Sequence, residues 1–281
     1  MAAMANVARR AAQVHQVRIA ADAALQAAVC GNPGGVEAVV FLHGNGSGWR
    51  QFEPQLDTFG SDHLVAAISL RGHGGSTGPK SPSPGDFAPA RLAEDVWKVL
   101  DALDLGQVHV VGNSVGGLVA FELDRADPER VASLTTFGTT AELHAGAAVR
   151  LSVEWLPRLL GPRVLGRLAA RSAVDPAAGR RYAELLSCAD PQAIRAISRA
   201  VTDYDYTSHL KASTTPWLLI RGGRDRHINR DLPSTLKVVA ERDDAELVEL
   251  PDAGHFANLE ARAEFDAALR EFLQRHPARR A

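Results

Sequence analysis

The sequence predicts an α/β protein, a parallel sheet covered by helices on both faces, and three observations predict it. Runs such as Ala38-Val39-Val40-Phe41-Leu42 and Trp217-Leu218-Leu219-Ile220 are apolar at every position, as strands buried on both faces must be. Several of these runs close on glycine-rich loops, His43-Gly44-Asn45-Gly46 after the first and Gly222-Gly223 after the second. Between the runs lie segments whose apolar residues recur at helical spacing, for example Leu92, Val96, Val99, Leu100 and Leu103. Strands that alternate with helices in this way build a parallel sheet.

In chain order, Met1 to Gln13 carries Arg9 and Arg10 but no apolar core of signal-peptide length. Gln13 to Ala20 and Ala24 to Cys30 are β-like runs on either side of Asp22 that can pair as an opening hairpin, followed by the turn Asn32-Pro33-Gly34-Gly35. The strand at 38–42 comes next. Leu64 to Leu70 is another strand, closed by Arg71-Gly72-His73-Gly74-Gly75-Ser76. An amphipathic helix spans Phe87 to Leu105, with Asp86 as its N-cap and Gly106 as its stop. A strand from Val108, a helix after Ser114 and a strand at Val131 to Phe137 continue the alternation.

From about Ala141 to Lys211 the alternation stops. The pattern there is helical (Trp155, Leu156, Leu159, Leu160, Val164, Leu165, Leu168), broken by Pro157, Pro162, Pro176 and Pro191, with no strand evident. The expected organisation is therefore a core of residues 1–140 and 212–281 carrying an insertion at 141–211. After the insertion come the strand at Trp217, a helix near Leu232 to Ala240, a strand at Leu247 to Leu250 and a last helix from about Leu259 to Gln274.

Composition narrows the function. With 46% hydrophobic and 23% charged residues the 281-residue chain has the make-up of a globular protein with one large core. A formal net charge of -2 lacks the basic excess of a nucleic-acid binder, so the expected partner is a small molecule. No window approaches the roughly 18 apolar residues of a membrane span. Cys30 and Cys188 lie far apart, with Cys30 in an apolar run, so no disulfide framework is expected and a cytoplasmic location fits.

The chemistry centres on Gly112-Asn113-Ser114-Val115-Gly116, a G-x-S-x-G elbow in which an apolar strand runs directly into a helix. So sharp a junction forces the serine into a strained, positive-φ conformation, and side chains at 112 and 116 would strike the backbone crossing above them. A serine nucleophile needs a base, and the base needs an acid to hold its ring. Of ten histidines, His255 lies in a loop immediately after a strand, in Pro251-Asp252-Ala253-Gly254-His255, where an open parallel sheet presents its functional groups. His227 also follows a strand. His109, inside the elbow strand, reads as a satisfied core residue, and His43 and His73 read as structural.

Asp225, in the loop after Trp217 to Ile220, is the candidate acid; alone it would read as a turn residue or a partner for Arg224. Asp252 is its rival, but its place in the turn before His255 suits a shaping role. The loop after Val131 to Phe137, the other place for an acid, holds Gly138 and Thr139. The negative charge that develops in acyl transfer would be met by the backbone N–H groups of Val115 and Asn45. If Asn45 acts through its backbone, its side chain is expected to matter little.

On these motifs the sequence resembles the α/β-hydrolase family over residues 36 to 274. The resemblance implies a mostly parallel eight-stranded sheet, a helical cap over the site, no cofactor or metal, and a triad of Ser114, His255 and Asp225. A serine at the elbow separates the chain from the similar haloalkane dehalogenases, which carry aspartate there. The elbow Gly-Asn-Ser-x-Gly-Gly looks like that of carbon–carbon bond hydrolases, but the loop after His43 lacks their Gly-Pro-Gly run.

The leading expectation is hydrolysis of a small-molecule ester or lactone. The alternatives are a cofactor-free perhydrolase or haloperoxidase, a carbon–carbon hydrolase or lyase, and a ligand-binding protein with little catalysis. Residues 150–199 carry nine arginines against four acids, an excess that is usually a solvated helix face but could draw in an anionic substrate.

Overall fold

The structure, a computed structural model, describes residues 11–31, 37–79, 83–147, 149–151, 160, 164, 171 and 173–278. Ten strands are described. Eight of them, β1 (Gln13–Ala20), β2 (Ala23–Gly31), β3 (Ala38–Leu42), β4 (Leu64–Ile68), β5 (Val108–Asn113), β6 (Val131–Phe137), β9 (Trp217–Gly222) and β10 (Ala245–Leu250), form one sheet. Its order is β1-β2-β4-β3-β5-β6-β9-β10. The opening hairpin β1–β2 is antiparallel, β2 joins β4 antiparallel, and every later pairing is parallel.

The apolar runs work as the sequence requires. Along β3, Val40 and Leu42 enter one hydrophobic cluster while Val39 and Phe41 enter the other, the two-residue alternation of a strand covered on both faces. The first cluster is closed by α2 (Pro89–Ala102) and α3 (Val115–Ala126) through Leu92, Val96, Val99, Leu118 and Phe121. The second is closed by α1 (Glu53–Phe59) and α10 (Arg262–Arg275) through Leu56, Phe59, Phe265 and Phe272.

Three boundaries differ from expectation. The helix expected from Phe87 starts at Pro89, and Asp86 belongs to a preceding 3-10 turn, where its Oδ2 accepts from the Ser83 N–H (2.6 Å) and hydroxyl (2.8 Å). That helix is stopped by Asp104, which takes φ +54°, rather than by Gly106. The last helix is two, α9 (Ala257–Glu260) and α10.

Between β6 and β9 the described residues contain α4 (Pro176–Ser187), α5 (Pro191–Ala200) and α6 (Thr207–Ala212), and also two strands that the sequence did not suggest, β7 (Glu142–His144) and β8 (Asp203–Asp205). These two pair antiparallel as a separate sheet. The helical pattern read at Trp155, Leu156, Leu159, Leu165 and Leu168 falls outside the described residues, as do the N-terminal Arg9 and Arg10 and the turn at 32–35. Two further short helices, α7 (Arg226–Arg230) and α8 (Pro233–Ala240), follow β9. Among the described residues no helix is long and apolar enough to cross a membrane, and both cysteines are free thiols.

Candidate active site

Ser114 stands at the junction of β5 and α3 with φ +53° and ψ -119°, the strained conformation that the elbow sequence demands. Its flanking glycines have no alternative. A Cβ on Gly112 would lie 2.4 Å from the Gly116 carbonyl oxygen, and one on Gly116 would lie 2.2 Å from that of Leu42. The junction is anchored to β6, for the Ser114 N–H donates to Phe137 O (3.0 Å) and the Thr139 hydroxyl donates to Ser114 O (2.9 Å).

Asp225 and His255 leave the ends of neighbouring parallel strands, β9 and β10, and meet. His255 Nδ1 lies 2.7 Å from Asp225 Oδ2. The other carboxylate oxygen, Oδ1, accepts from the Ile228 N–H (3.3 Å) at the start of α7, so one side chain both caps a helix and holds the imidazole. Burial works to raise the Asp225 carboxyl, but the hydrogen bond and charge of His255 outweigh it and hold the group below the usual carboxylate range. The rival Asp252 is mostly exposed and pairs with Arg224 (2.5 Å), so Arg224 has its partner at 252 rather than at 225.

His255 is fastened to the elbow by Asn113. The Asn113 amide donates to His255 O (3.1 Å) and to Phe137 O (3.2 Å), and its Oδ1 accepts from Gln51 (3.0 Å). The imidazole packs against Gly138, whose vacant Cβ position lies 3.0 Å from both Cε1 and Nδ1 of the ring. Among the described residues the Ser114 hydroxyl has no hydrogen-bond partner, His255 included. The candidate acid and base are in contact; a bond between base and nucleophile commonly tightens only around bound substrate.

Val115 opens α3, so its N–H has no intrahelical acceptor, and neither that N–H nor the N–H of Asn45 is bonded among the described residues. The loop bearing Asn45 lies against Ser114, since a Cβ on Gly44 would be 3.3 Å from the Ser114 Cβ. His43 fixes that loop. Its Nε2 accepts from the Leu70 N–H (2.8 Å), which leaves the Nδ1 proton to bond Gly44 O (2.7 Å). The side chain of Asn45 carries structural bonds of its own, which the sequence did not suggest. It donates to Ile194 O (3.0 Å) and Ser198 Oγ (2.8 Å) on α5, and its Oδ1 faces His73 Nε2 (3.1 Å).

Sequence reasoning passed over Asn113, Tyr182 and Glu260. Asn113 could have been noticed as an amide ending an otherwise apolar strand. Tyr182 of α4 donates to Asn45 O (2.9 Å) and stacks on Phe256 (4.5 Å between centroids), a contact across 137 residues with no local signature. His109 is only half satisfied: Nδ1 meets Ser133 Oγ (2.8 Å), while the buried Nε2 has no hydrogen-bond partner among the described residues and lies 3.7 Å from Glu37 Oε2. Of the arginines in 150–199, Arg150 pairs with Asp203 and Arg181 with Glu53, while Arg158, Arg163 and Arg167 lie outside the described residues.

The model of a family described as "Alpha/beta hydrolase family" matches residues 39–268. A dihydrolipoyllysine-residue acetyltransferase component of the acetoin cleaving system of Pseudomonas putida is 28% identical over 259 residues, 88% of this chain but 65% of that protein, so the chain spans less than two thirds of this relative. A 2-hydroxy-6-oxononadienedioate/2-hydroxy-6-oxononatrienedioate hydrolase of Cupriavidus pinatubonensis is 29% identical over 87% of this chain and 89% of its own length. Among solved structures, a hydrolase from Pseudomonas aeruginosa superposes with a TM-score of 0.80 at 25% identity, covering 93% of this chain and 98% of that one.

Proposed function

The chain belongs to the alpha/beta hydrolase family, and from that premise we propose that it is a serine hydrolase that cleaves an ester-type bond of a small molecule by two-step acyl transfer. The observation that carries this reading is the 2.7 Å contact between His255 Nδ1 and Asp225 Oδ2 beside a serine held at φ +53°. With its Nδ1 proton committed to Asp225, the imidazole keeps a lone pair at Nε2 for the Ser114 hydroxyl proton. The serine oxygen bonds to the substrate carbonyl carbon, and the oxyanion is met by the Val115 and Asn45 N–H groups. The proton on His255 passes to the departing alcohol. Water, deprotonated by the same ring, then releases the acid and frees Ser114.

In this reading the insertion at 141–211 serves as a lid over the site, and the substrate is an ester or lactone. A second reading, hydrolysis of a carbon–carbon bond beside a carbonyl, is favoured by the 29% identical 2-hydroxy-6-oxononadienedioate/2-hydroxy-6-oxononatrienedioate hydrolase together with the elbow Gly112-Asn113-Ser114-Val115-Gly116-Gly117.

Covalent labelling by a fluorophosphonate tests the nucleophile: Ser114 is expected to be the labelled residue, and Ser114→Ala to lower turnover by up to about 10⁶-fold, with His255→Ala similar and the double variant little worse. Full activity in Ser114→Ala would end the proposal. A panel of p-nitrophenyl esters, lactones and 2-hydroxy-6-oxo-dienoates separates the two readings.

A further inference from the structure

The carboxylate of Glu260, five residues beyond His255, accepts four backbone hydrogen bonds from two separate parts of the chain. Oε2 takes the N–H of Gly254 (2.7 Å) and of Phe256 (3.3 Å), the residues on either side of His255. Oε1 takes the N–H of Val174 (2.6 Å) and Asp175 (3.4 Å), at the entrance to α4 in the insertion. A carboxylate that accepts backbone N–H groups makes charge-assisted bonds, about twice as strong as neutral ones. The surroundings are shaped to the same contact. A Cβ on Gly254 would lie 2.9 Å from Glu260 Oε2 and 2.9 Å from the Val174 Cγ2.

Resting on the hydrolase reading above, we propose that Glu260 is a positioning residue that couples the seating of α4 to the placement of His255. Each oxygen serves one partner, so a displacement of the segment at 174–175 strips half of the bonds that fix this carboxylate, and the carboxylate in turn is what brackets the histidine. The farther side of the helix is latched independently, by Tyr182 to Asn45 O and by Arg181 to Arg50 O and Glu53. Opening α4 for substrate entry therefore loosens the base, and closing it restores the base to its place over Gly138. His255 is then aligned only when the site is shut.

The test compares wild type with Glu260→Gln, which keeps the shape but presents N–H groups to one of the two donor pairs, and with Glu260→Ala. Concentrations are set by fluorophosphonate titration, so that unfolded protein does not enter kcat. The expected result is a fall in kcat of about 10- to 100-fold, the cost of displacing a catalytic group by about 1 Å. With it, amide hydrogen exchange should quicken together at 174–178 and 254–256 and stay unchanged in β5 and β6.

Asp175→Ala, which removes the N-cap of α4, should also quicken exchange at 254–256 when Glu260 is present and add nothing in the Glu260→Gln background. A variant with kcat within twofold of wild type, or with only one of the two segments loosened, overturns the coupling. So does multiplicative behaviour of the Asp175 and Glu260 substitutions. Failure of wild type to label at Ser114 would instead remove the hydrolase reading, and the exchange data would still decide whether the clamp exists.

Discussion

Asn45 divides its work between backbone and side chain. The N–H is the oxyanion donor proposed above, while the amide group ties α5 to the loop after β3 through Ile194 O and Ser198 Oγ and meets His73. Each such bond contributes roughly 0.5–1.5 kcal/mol net, and a partner left buried and unpaired costs more. Asn45→Ala should therefore lower unfolding stability by about 2–3 kcal/mol, read as a drop in the urea midpoint at unchanged slope. Because the backbone donor stays, kcat should fall by far less than in Ser114→Ala. A kcat as low as that of the serine variant would mean that the amide group itself touches the reacting oxygen.

At the level of elements, the turn after β6 decides where the histidine can stand. Gly138 takes φ +59°, and a Cβ there would lie 2.9 Å from Asn113 Nδ2 and 3.0 Å from the His255 ring. Gly138→Ala should displace the imidazole and slow turnover about 100-fold while fluorophosphonate still finds a folded elbow; unchanged kcat would show that the ring is not seated there. The strands that precede Ser114 and Asp225, β5 and β9, were legible because burial on both faces leaves little freedom in composition, whereas β10, before His255, is an edge strand with Glu246, an exposed Leu247 and Glu249, and only its end at Leu247 to Leu250 was read.

The pair β7–β8 was illegible. Three residues each, they place Glu142 opposite Asp205 and His144 opposite Asp203 (2.7 Å), with the single apolar pair Leu143–Tyr204 between them, too short a run to announce a strand. The start of α2 was misread because Asp86 does cap a turn, but the wrong one. The buried amide chain from Asn113 through Gln51, Asn258 and Gln55 to Asp266 was equally hidden, since its members meet only across more than 200 residues or between separate elements. Glu260 and Tyr182 belong to the same class: Tyr182 meets Asn45 O, and Glu260 reaches the Val174 and Asp175 N–H groups as well as its own loop, contacts between distant segments that no spacing encodes.

Across the whole molecule, acid should unfold this protein early, because three histidines are held neutral inside it. Burial, helped by the neighbouring His73, pushes His43 down to about 3. Burial pushes His73 down to about 4 although Arg71 O and Asp190 favour its charged form, and burial with His63 and His276 nearby does the same to His109. A folded-state value below the ordinary 6.5 means that the unfolded chain takes up protons that the folded one refuses. The stabilisation is complete above about pH 6.5 and is lost as pH falls toward 4, by about 1.4 kcal/mol per pH unit for each histidine.

Three together approach about 4 kcal/mol per unit, enough to consume a typical stability of 5–15 kcal/mol within two to three units. Asp225, whose value is lowered, gives stability that persists above the ordinary carboxylate range and is lost below it, so it adds to the collapse only at the acid end. Urea titrations at pH 7, 6 and 5 should show a steadily falling midpoint, and His109→Asn should reduce that dependence by about a third if the three histidines contribute equally. A flat midpoint from pH 7 to 5 would mean that water or a partner group reaches these rings and that they are already charged within the fold.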